Sequence, residues 1–407
     1  MKKFLALIFS VLLVLALAAC TSNDNNGESK DSDESHNMED MDNESTEENQ
    51  NSNNHSLQIT STKNVTRIEA DELENAAVKV SQMIWPATQE ENRPGTVILA
   101  PADNWQIALA STDLIHHPNN GPVLFYTSDG LSEETLNEIK RLSPKGNKQG
   151  TQVMLMGDGE DLTTNLKEFS VEQIGESDAA EFAATVDSKY AEAAGELPQG
   201  VIIVSSEEEA KLFSLVASNW IAHAPEPVLY VTKNEIPQAT IEALALRESK
   251  ANIYVFGPEK VISTEVIDGL KQYGEVIRLL GDTPSQLSIE FAKFKDLNTG
   301  FGWGFTEPGH GFSLISTNNS EFAIAGAPFA HLGKHAPLIW LENGELSSET
   351  HEFLGALQPK FEDDPTVGPY NHAYILGSIE EVTMKTQGMI DQMLEISPKD
   401  ASGGHAH

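Results

Sequence analysis

Cysteine occurs once in the 407 residues, at Cys20. No intrachain disulfide can form, and no cysteine-built metal cluster either. A fold with this composition that works outside the cell must rest on its apolar cores rather than on cross-links. Cations are scarce too. There are 26 Lys and Arg against 62 Asp and Glu, a formal net charge of −36. A nucleic-acid partner requires a basic footprint, and this composition offers none. Several catalytic signatures are also missing. No Gly-x-Gly-x-x-Gly follows any candidate first strand, and no phosphate-loop motif occurs. The His-Glu-x-x-His pattern and the Gly-x-Ser-x-Gly turn are absent. Acids are too numerous for one catalytic pair to stand out. The reading is a protein that is not an enzyme and needs no cofactor.

What is present is alternation. Gly95-Thr-Val-Ile-Leu-Ala100, Gly121-Pro-Val-Leu-Phe-Tyr126 and Gln152-Val-Met-Leu-Met-Gly157 are short apolar runs. Between them lie Trp105–Ile115 and Leu131–Leu142, with helical spacing. Continuous apolar runs alternating with amphipathic segments imply parallel strands covered on both faces. The pattern returns with Gly200–Val204, Pro227–Val231 and Asn252–Gly257, and again with Gly311–Ser316, Pro337–Leu341 and Ala373–Gly377. The repeat is roughly 100–120 residues long, far beyond the solenoid range. Each copy is long enough for a small α/β unit. Each opens with a helix: Leu73, Ala76, Ala77, Val80, Met83 and Ile84 share one face in the first. Ser177 is the expected cap of the second opening helix, and Thr283 with Pro284 begins the third. Val171–Gly175 and Glu275–Gly281 read as short final strands leading into the next unit.

The N-terminus has a different character. Lys2 and Lys3 precede the apolar stretch Phe4–Ala16, which ends Leu17-Ala18-Ala19-Cys20. A basic start and a short apolar run form a secretory signal, too short for the ~20 residues that span a bilayer. The ending resembles the lipobox of bacterial lipoproteins. That resemblance implies that Cys20 is acylated and begins the mature chain, anchored to the outer face of the cell membrane. Residues 21–60 are Asn, Ser, Asp and Glu with few apolar residues, a tether that buries too little to fold. Anionic lipid repels so acidic a chain, so acyl chains rather than basic patches would hold it there.

A second resemblance covers nearly all the rest. Thr66-Arg67-Ile68-x-x-Asp71 followed by Ala76-Ala77 resembles the opening signature of the cell wall-binding repeat 2 family. Val97–Ala100 with its helix, Gly121-Pro-Val-Leu124 with Leu131, and Val153-Met-Leu-Met-Gly157 follow in that family's order. The resemblance spans roughly residues 64–396. It implies three tandem Rossmann-like units with parallel sheets in a pseudo-threefold arrangement, on an exported protein of a Gram-positive bacterium. It also implies non-covalent binding of cell-wall anionic polymer or glycan, with other envelope proteins as further partners. The Arg67-Ile68 opening stands in the first repeat only. Gly175-Glu-Ser-Asp178 and Gly281-Asp-Thr-Pro284 occupy the matching places later. The expected organisation is 1–20 signal, 21–60 tether, 61–176, 177–281 and 282–396 repeats, and 397–407 flexible tail.

Candidate ligand-binding residues follow from chemistry and placement. The turns after the three first strands hold Asp103 and Asn104, Ser205 and Ser206, and Asn318 and Asn319. Open α/β sheets bind ligands at the carboxyl ends of strands. Such residues also suit helix caps. Arg67 is a cation that could hold a polyanion. Trp303 lies in Gly300-Phe-Gly-Trp-Gly-Phe305, either a sugar-stacking platform or a closely packed glycine loop. His331 and His335 are four apart and would share a face if helical, while His116, His117 and His223 precede the second strands of their own units. Lacking a third ligand, they are not assigned as a metal site. A solute- or metal-binding lipoprotein serving a transporter is the alternative reading, although such proteins usually have two lobes.

Overall fold

The computed structural model describes residues 61–86, 88–332 and 335–399. The signal segment, Cys20, the tether and residues 400–407 lie outside the described residues. The strands are β1 (Val65–Ile68), β2 (Val97–Pro101), β3 (Val123–Tyr126), β4 (Val153–Met156) and β5 (Val171–Ile174). Next come β6 (Gly200–Ser205), β7 (Val228–Val231), β8 (Ala251–Phe256) and β9 (Gly274–Leu279). The last are β10 (Gly311–Ser316), β11 (Leu338–Leu341), β12 (Lys360–Phe361), β13 (His372–Leu376) and β14 (Ser397–Pro398).

Three four-stranded parallel sheets result, in the orders β3-β2-β4-β5, β7-β6-β8-β9 and β11-β10-β13-β1. The first three strands of each sheet are the apolar runs, and their central residues are buried on both faces. This is the pattern parallel sheets require, because crossover helices cover both sides. Repeated Rossmann-like α/β units are therefore the architecture of the folded region. The helices Asn104 and Thr283 were expected to start do start there. The Asn104 carboxamide accepts the Ile107 N–H at 3.1 Å, and the Thr283 hydroxyl accepts the Gln286 N–H at 3.2 Å. The helix Ala179–Ala194 is capped by Asp178 instead of Ser177, its carboxylate accepting from Ala180 and Glu181 N–H.

The assignment of Val65–Ile68 to the first repeat needs correction. This strand is the edge of the third sheet, parallel to β13 with Val65 opposite Ala373 and Ile68 opposite Leu376. The reason lies in how the final strands hand the chain onward. After β5 the helix Ala179–Ala194 packs on β7, and after β9 the helix Pro284–Lys293 packs on β11. After β1 the helix Leu73–Ile84 packs on β3 in the same way. Each fourth strand thus completes one sheet while its helix covers the next. In the third sheet Val65–Ile68 fills the place of the fourth strand.

Equivalent side chains confirm the match. Arg67 Nη1–H donates to the Gly377 carbonyl at 3.1 Å. Arg278 Nε–H donates to the Gly257 carbonyl at 2.8 Å, and Gln173 Nε2–H to the Gly157 carbonyl at 3.1 Å. These three glycines follow the third strands, and their own N–H groups donate to Ile68, Leu279 and Ile174. All three have positive φ, at +129°, +112° and +74°, which glycine tolerates best. The Arg-Ile opening is therefore repeated as Arg278-Leu279 and Gln173-Ile174, two or three residues before Gly175 and Gly281, the glycines matched to it from sequence alone.

The units also interlock centrally. Tyr230 on β7 donates its hydroxyl hydrogen to the Gln106 carbonyl of the first unit at 2.7 Å. Trp340 on β11 donates its indole N–H to the Leu212 carbonyl of the second at 3.0 Å. β3 of the first unit packs on the helix Phe322–Gly326 of the third. The contacts run round in one sense and close as a pseudo-threefold ring. Ser397–Pro398, expected to be loose, pair with β12, and Ser397 N–H donates to the Pro359 carbonyl at 2.9 Å.

Arg67 is 4% exposed and also donates to Gln387 Oε1 at 2.9 Å, to the Ser378 carbonyl at 2.9 Å and to the Val382 carbonyl. Arg67→Leu would strand these acceptors and cost about 2–4 kcal/mol. Arg278→Gln, which copies the first unit, should cost less than about 1.5 kcal/mol. Urea unfolding midpoints of the two variants provide the check. Equal midpoints would show that the arginine is not a clamp.

Candidate functional site

Ligand-sized space at the strand ends is clearest in the first unit. A cleft of about 490 Å³ opens where β2, β3 and β4 end. Asp103 and Asn104 stand on the turn after β2, with Asn104 fixed as the helix cap. Thr127–Gly130 folds back after β3 through a pair of 3.0 Å backbone hydrogen bonds. Gly157 bends the chain after β4 so that Asp158 and Asp161 reach the rim. Tyr126 forms part of the floor and donates its hydroxyl hydrogen to the Met156 carbonyl at 2.6 Å.

Asp103, Asp129, Asp158, Asp161 and Glu176 line the cleft, and none of its lining residues is Lys or Arg. Burial pushes the Tyr126 phenol up to about 12, with Asp103 and Asp158 adding to the shift. So acidic a wall repels phosphate and carboxylate ligands and accepts hydrogen bonds from hydroxyl or ammonium groups. Sequence reasoning found Asp103 and Asn104 and missed the other carboxylates. Their signal was available, since Asp129 and Asp158 stand in the turns just after strands two and three.

The corresponding turns of the other units spend their polar groups internally. Ser205 is buried and its hydroxyl accepts the Glu207 N–H at 3.2 Å. Ser206 lies at a unit junction, where its carbonyl accepts from Gln106 Nε2–H at 3.0 Å. Asn318 Nδ2–H donates to Glu381 Oε1 at 3.0 Å, and Glu381 also takes the Ser316 hydroxyl. Asn319 is half-buried in the 3-10 turn Thr317–Asn319. Apart from Asp103, these residues are caps and struts more than free ligand donors. Arg67 belongs to the ring closure and does not face a ligand.

Trp303 sits at the opposite end of the strands, before β10, and the structure does not bring it to the cleft. Its indole packs against Trp220 at 5.0 Å between ring centroids and stacks on His223 at 5.3 Å. Phe301 and Phe305 are buried beside it. A Cβ at Gly302 would stand 2.5 Å from the Phe294 carbonyl oxygen, so the glycines permit close packing of this loop. The sugar-platform reading gives way to a packed aromatic junction.

Histidines from three units meet at this same end. His116 and His117 of the first unit lie 5.7 and 5.2 Å from His331 of the third, centroid to centroid. His223 of the second lies 4.8 Å from His335. His331 closes the 3-10 turn Ala327–Ala330 and His335 is outside any helix, so the shared helix face does not form. Among the described residues no group of three or more His, Cys, Asp or Glu side chains is arranged to hold a metal ion.

Trp303→Ala should lower stability by about 2–3 kcal/mol through lost packing. The urea midpoint reports it. An unchanged midpoint would restore the free-platform reading.

No family model matches the chain, and no curated protein matches it. Solved structures do. The chain is similar to Cwp6 from Clostridium difficile, with a TM-score of 0.67 and 16% identity, over 82% of this chain and 48% of that one. It is likewise similar to Cwp8 from Clostridium difficile, with a TM-score of 0.61 and 18% identity, over 81% of this chain and 52% of that one. The chain spans about half the length of each, and at these identities the likeness is one of fold.

Proposed function

We propose that this is a non-catalytic surface protein that binds cell-wall glycan or polymer through its ring of three units. The observation that supports the reading most is the shared fold. Two clostridial cell wall proteins match it across more than four fifths of the chain, all three units included. Acylation of Cys20 would hold the protein at the outer membrane face, and the acidic tether would carry the ring toward the wall. Among the described residues no helix is long and apolar enough to cross a membrane.

The strand-end cleft of the first unit favours one class of wall ligand. Five carboxylates accept hydrogen bonds from sugar hydroxyls, whereas a phosphate-rich polymer meets like charge there. The ligand that fits is therefore a hydroxyl-rich or amine-bearing glycan. Three sheets joined in a ring also differ from the two lobes usual in transporter-linked solute receptors.

Sedimentation with purified walls tests the proposal. The chain should co-sediment with walls stripped of anionic polymer at least as well as with untreated walls. Asp103→Lys combined with Asp158→Lys should weaken binding about tenfold, the scale of losing one or two charge-assisted hydrogen bonds. A chain that stays in the supernatant with both wall preparations contradicts the proposal.

A further inference from the structure

The histidine cluster lies outside the strand-end cleft, and wall binding makes no use of it. Its members come from loops far apart in sequence, and each loop precedes the second strand of a different unit. His116 and His117 precede β3, His223 precedes β7, and His331 and His335 precede β11. His116 and His117 are 5.5 Å apart, so with His331 they form a triangle of edge-to-face rings. His331 Nε2 meets Asn120 Oδ1 at 2.7 Å, linking the third unit to the first. His116 Nδ1 meets the Tyr190 hydroxyl at 3.3 Å, linking the first to the second. His223 stacks on Trp303, which precedes β10 of the third unit.

We propose that this cluster is a pH-sensitive latch between the units: uncharged imidazoles hold the three loops together, and their protonation in mildly acidic surroundings drives the loops apart while the sheets stay folded. Geometry supplies the repulsion, because charged rings with centroids about 5–6 Å apart in partly buried surroundings repel strongly. The surrounding groups offer little countercharge. Asp113, three residues before His116, is fully buried and its two carboxylate oxygens have no hydrogen-bond partner. Burial, then Asp187 and Glu226, raises its pKa and favours its neutral form. Glu226 is raised by burial too, and accepts the Trp220 indole N–H at 2.8 Å. Asp187 is committed to Arg247 through two 2.9 Å hydrogen bonds. Tyr190 is pushed up by burial and stays a neutral phenol. Lys295, whose ammonium lies 5.9 Å from the Trp220 ring centre, adds positive charge on the side of His223.

The direction of the pH effect follows. Burial lowers His223 to about 4 and His331 to about 3, with the neighbouring imidazoles adding to both shifts. An exposed histidine titrates near 6.5, so the opened state binds more protons below that pH. The latch is at full strength above about pH 6.5 and weakens as pH falls toward the folded values. Surface carboxylates titrate mostly below about pH 5. Asp113 and Glu226, raised by burial, bind protons more readily in the closed state and oppose the histidines. The comparison of wild type with histidine variants therefore carries the test across about pH 5.5–7.

Amide exchange of the full chain at pH 7.0 and 5.5, corrected for intrinsic rates, tests the idea. Residues 112–121, 220–226 and 328–332 should lose at least tenfold in protection at pH 5.5, while β2, β6 and β10 keep theirs. His223→Gln combined with His331→Gln should abolish that difference. His117 is exposed and its ring lies beside His331, which it helps to lower, so His117→Gln should fold normally and shrink the difference through His331 if the double variant does not fold. Equal protection of the wild-type loops at both pH values overturns the proposal. So does an undiminished loss in His117→Gln.

Discussion

The pairing of β1 with β13 is the constraint on which the rest of the structure depends. Every sheet takes its fourth strand from the segment that leads into the next unit, so a linear chain of three units ends one strand short. Val65–Ile68 supplies that strand across about 300 residues of sequence, and Arg67 locks it by donating to four groups of the third unit. Closing so long a loop is less costly than it looks, since the entropic penalty grows only with the logarithm of length. Around the seam, Asn64 N–H donates to Asp391 Oδ1 at 2.7 Å and Ala373 N–H to the Asn64 carbonyl at 2.9 Å. The junction is a hydrogen-bonded ladder with a buried cation beside it, and it turns three copies into one ring.

Closure sorts the functional features by strand end. At the carboxyl ends, the first unit leaves an acidic cleft while the second and third tie up their turn residues. At the amino ends, loops of all three units meet, and aromatic and imidazole rings fill the junction. One end is thus suited to recognising a ligand and the other to holding the units in place. Under the proposed function the carboxylates of the first end would select for hydroxyl-rich ligands, and burial at the second end makes any proton arriving there costly.

Much of the fold was legible in the residues. Runs such as Gly200-Val-Ile-Ile-Val204 and Asn252-Ile-Tyr-Val-Phe-Gly257 declare buried parallel strands by their length and β-branching, and Thr283-Pro284 declares a helix start. The destination of β1 was not legible, because Val-Thr-Arg-Ile reads equally well as an opening or a closing strand and only pairing decides. Once the glycine carbonyls are seen to accept from Arg67, Arg278 and Gln173, the repeat in the sequence becomes plain. Trp303 was ambiguous for another reason. Glycine-flanked aromatics serve close packing or sugar stacking, and the choice depends on Trp220 and His223, some 80 residues away. The histidines were visible as equivalents, but no local pattern says that loops of three units converge.

Native-state hydrogen exchange of the β1 amides tests the closed ring most directly. If Val65–Ile68 is an integral strand of the third sheet, its ladder amides should exchange as slowly as those of β13 and share their denaturant dependence. Exchange of β1 at the rate of a frayed N-terminus, with β13 still protected, would contradict the account.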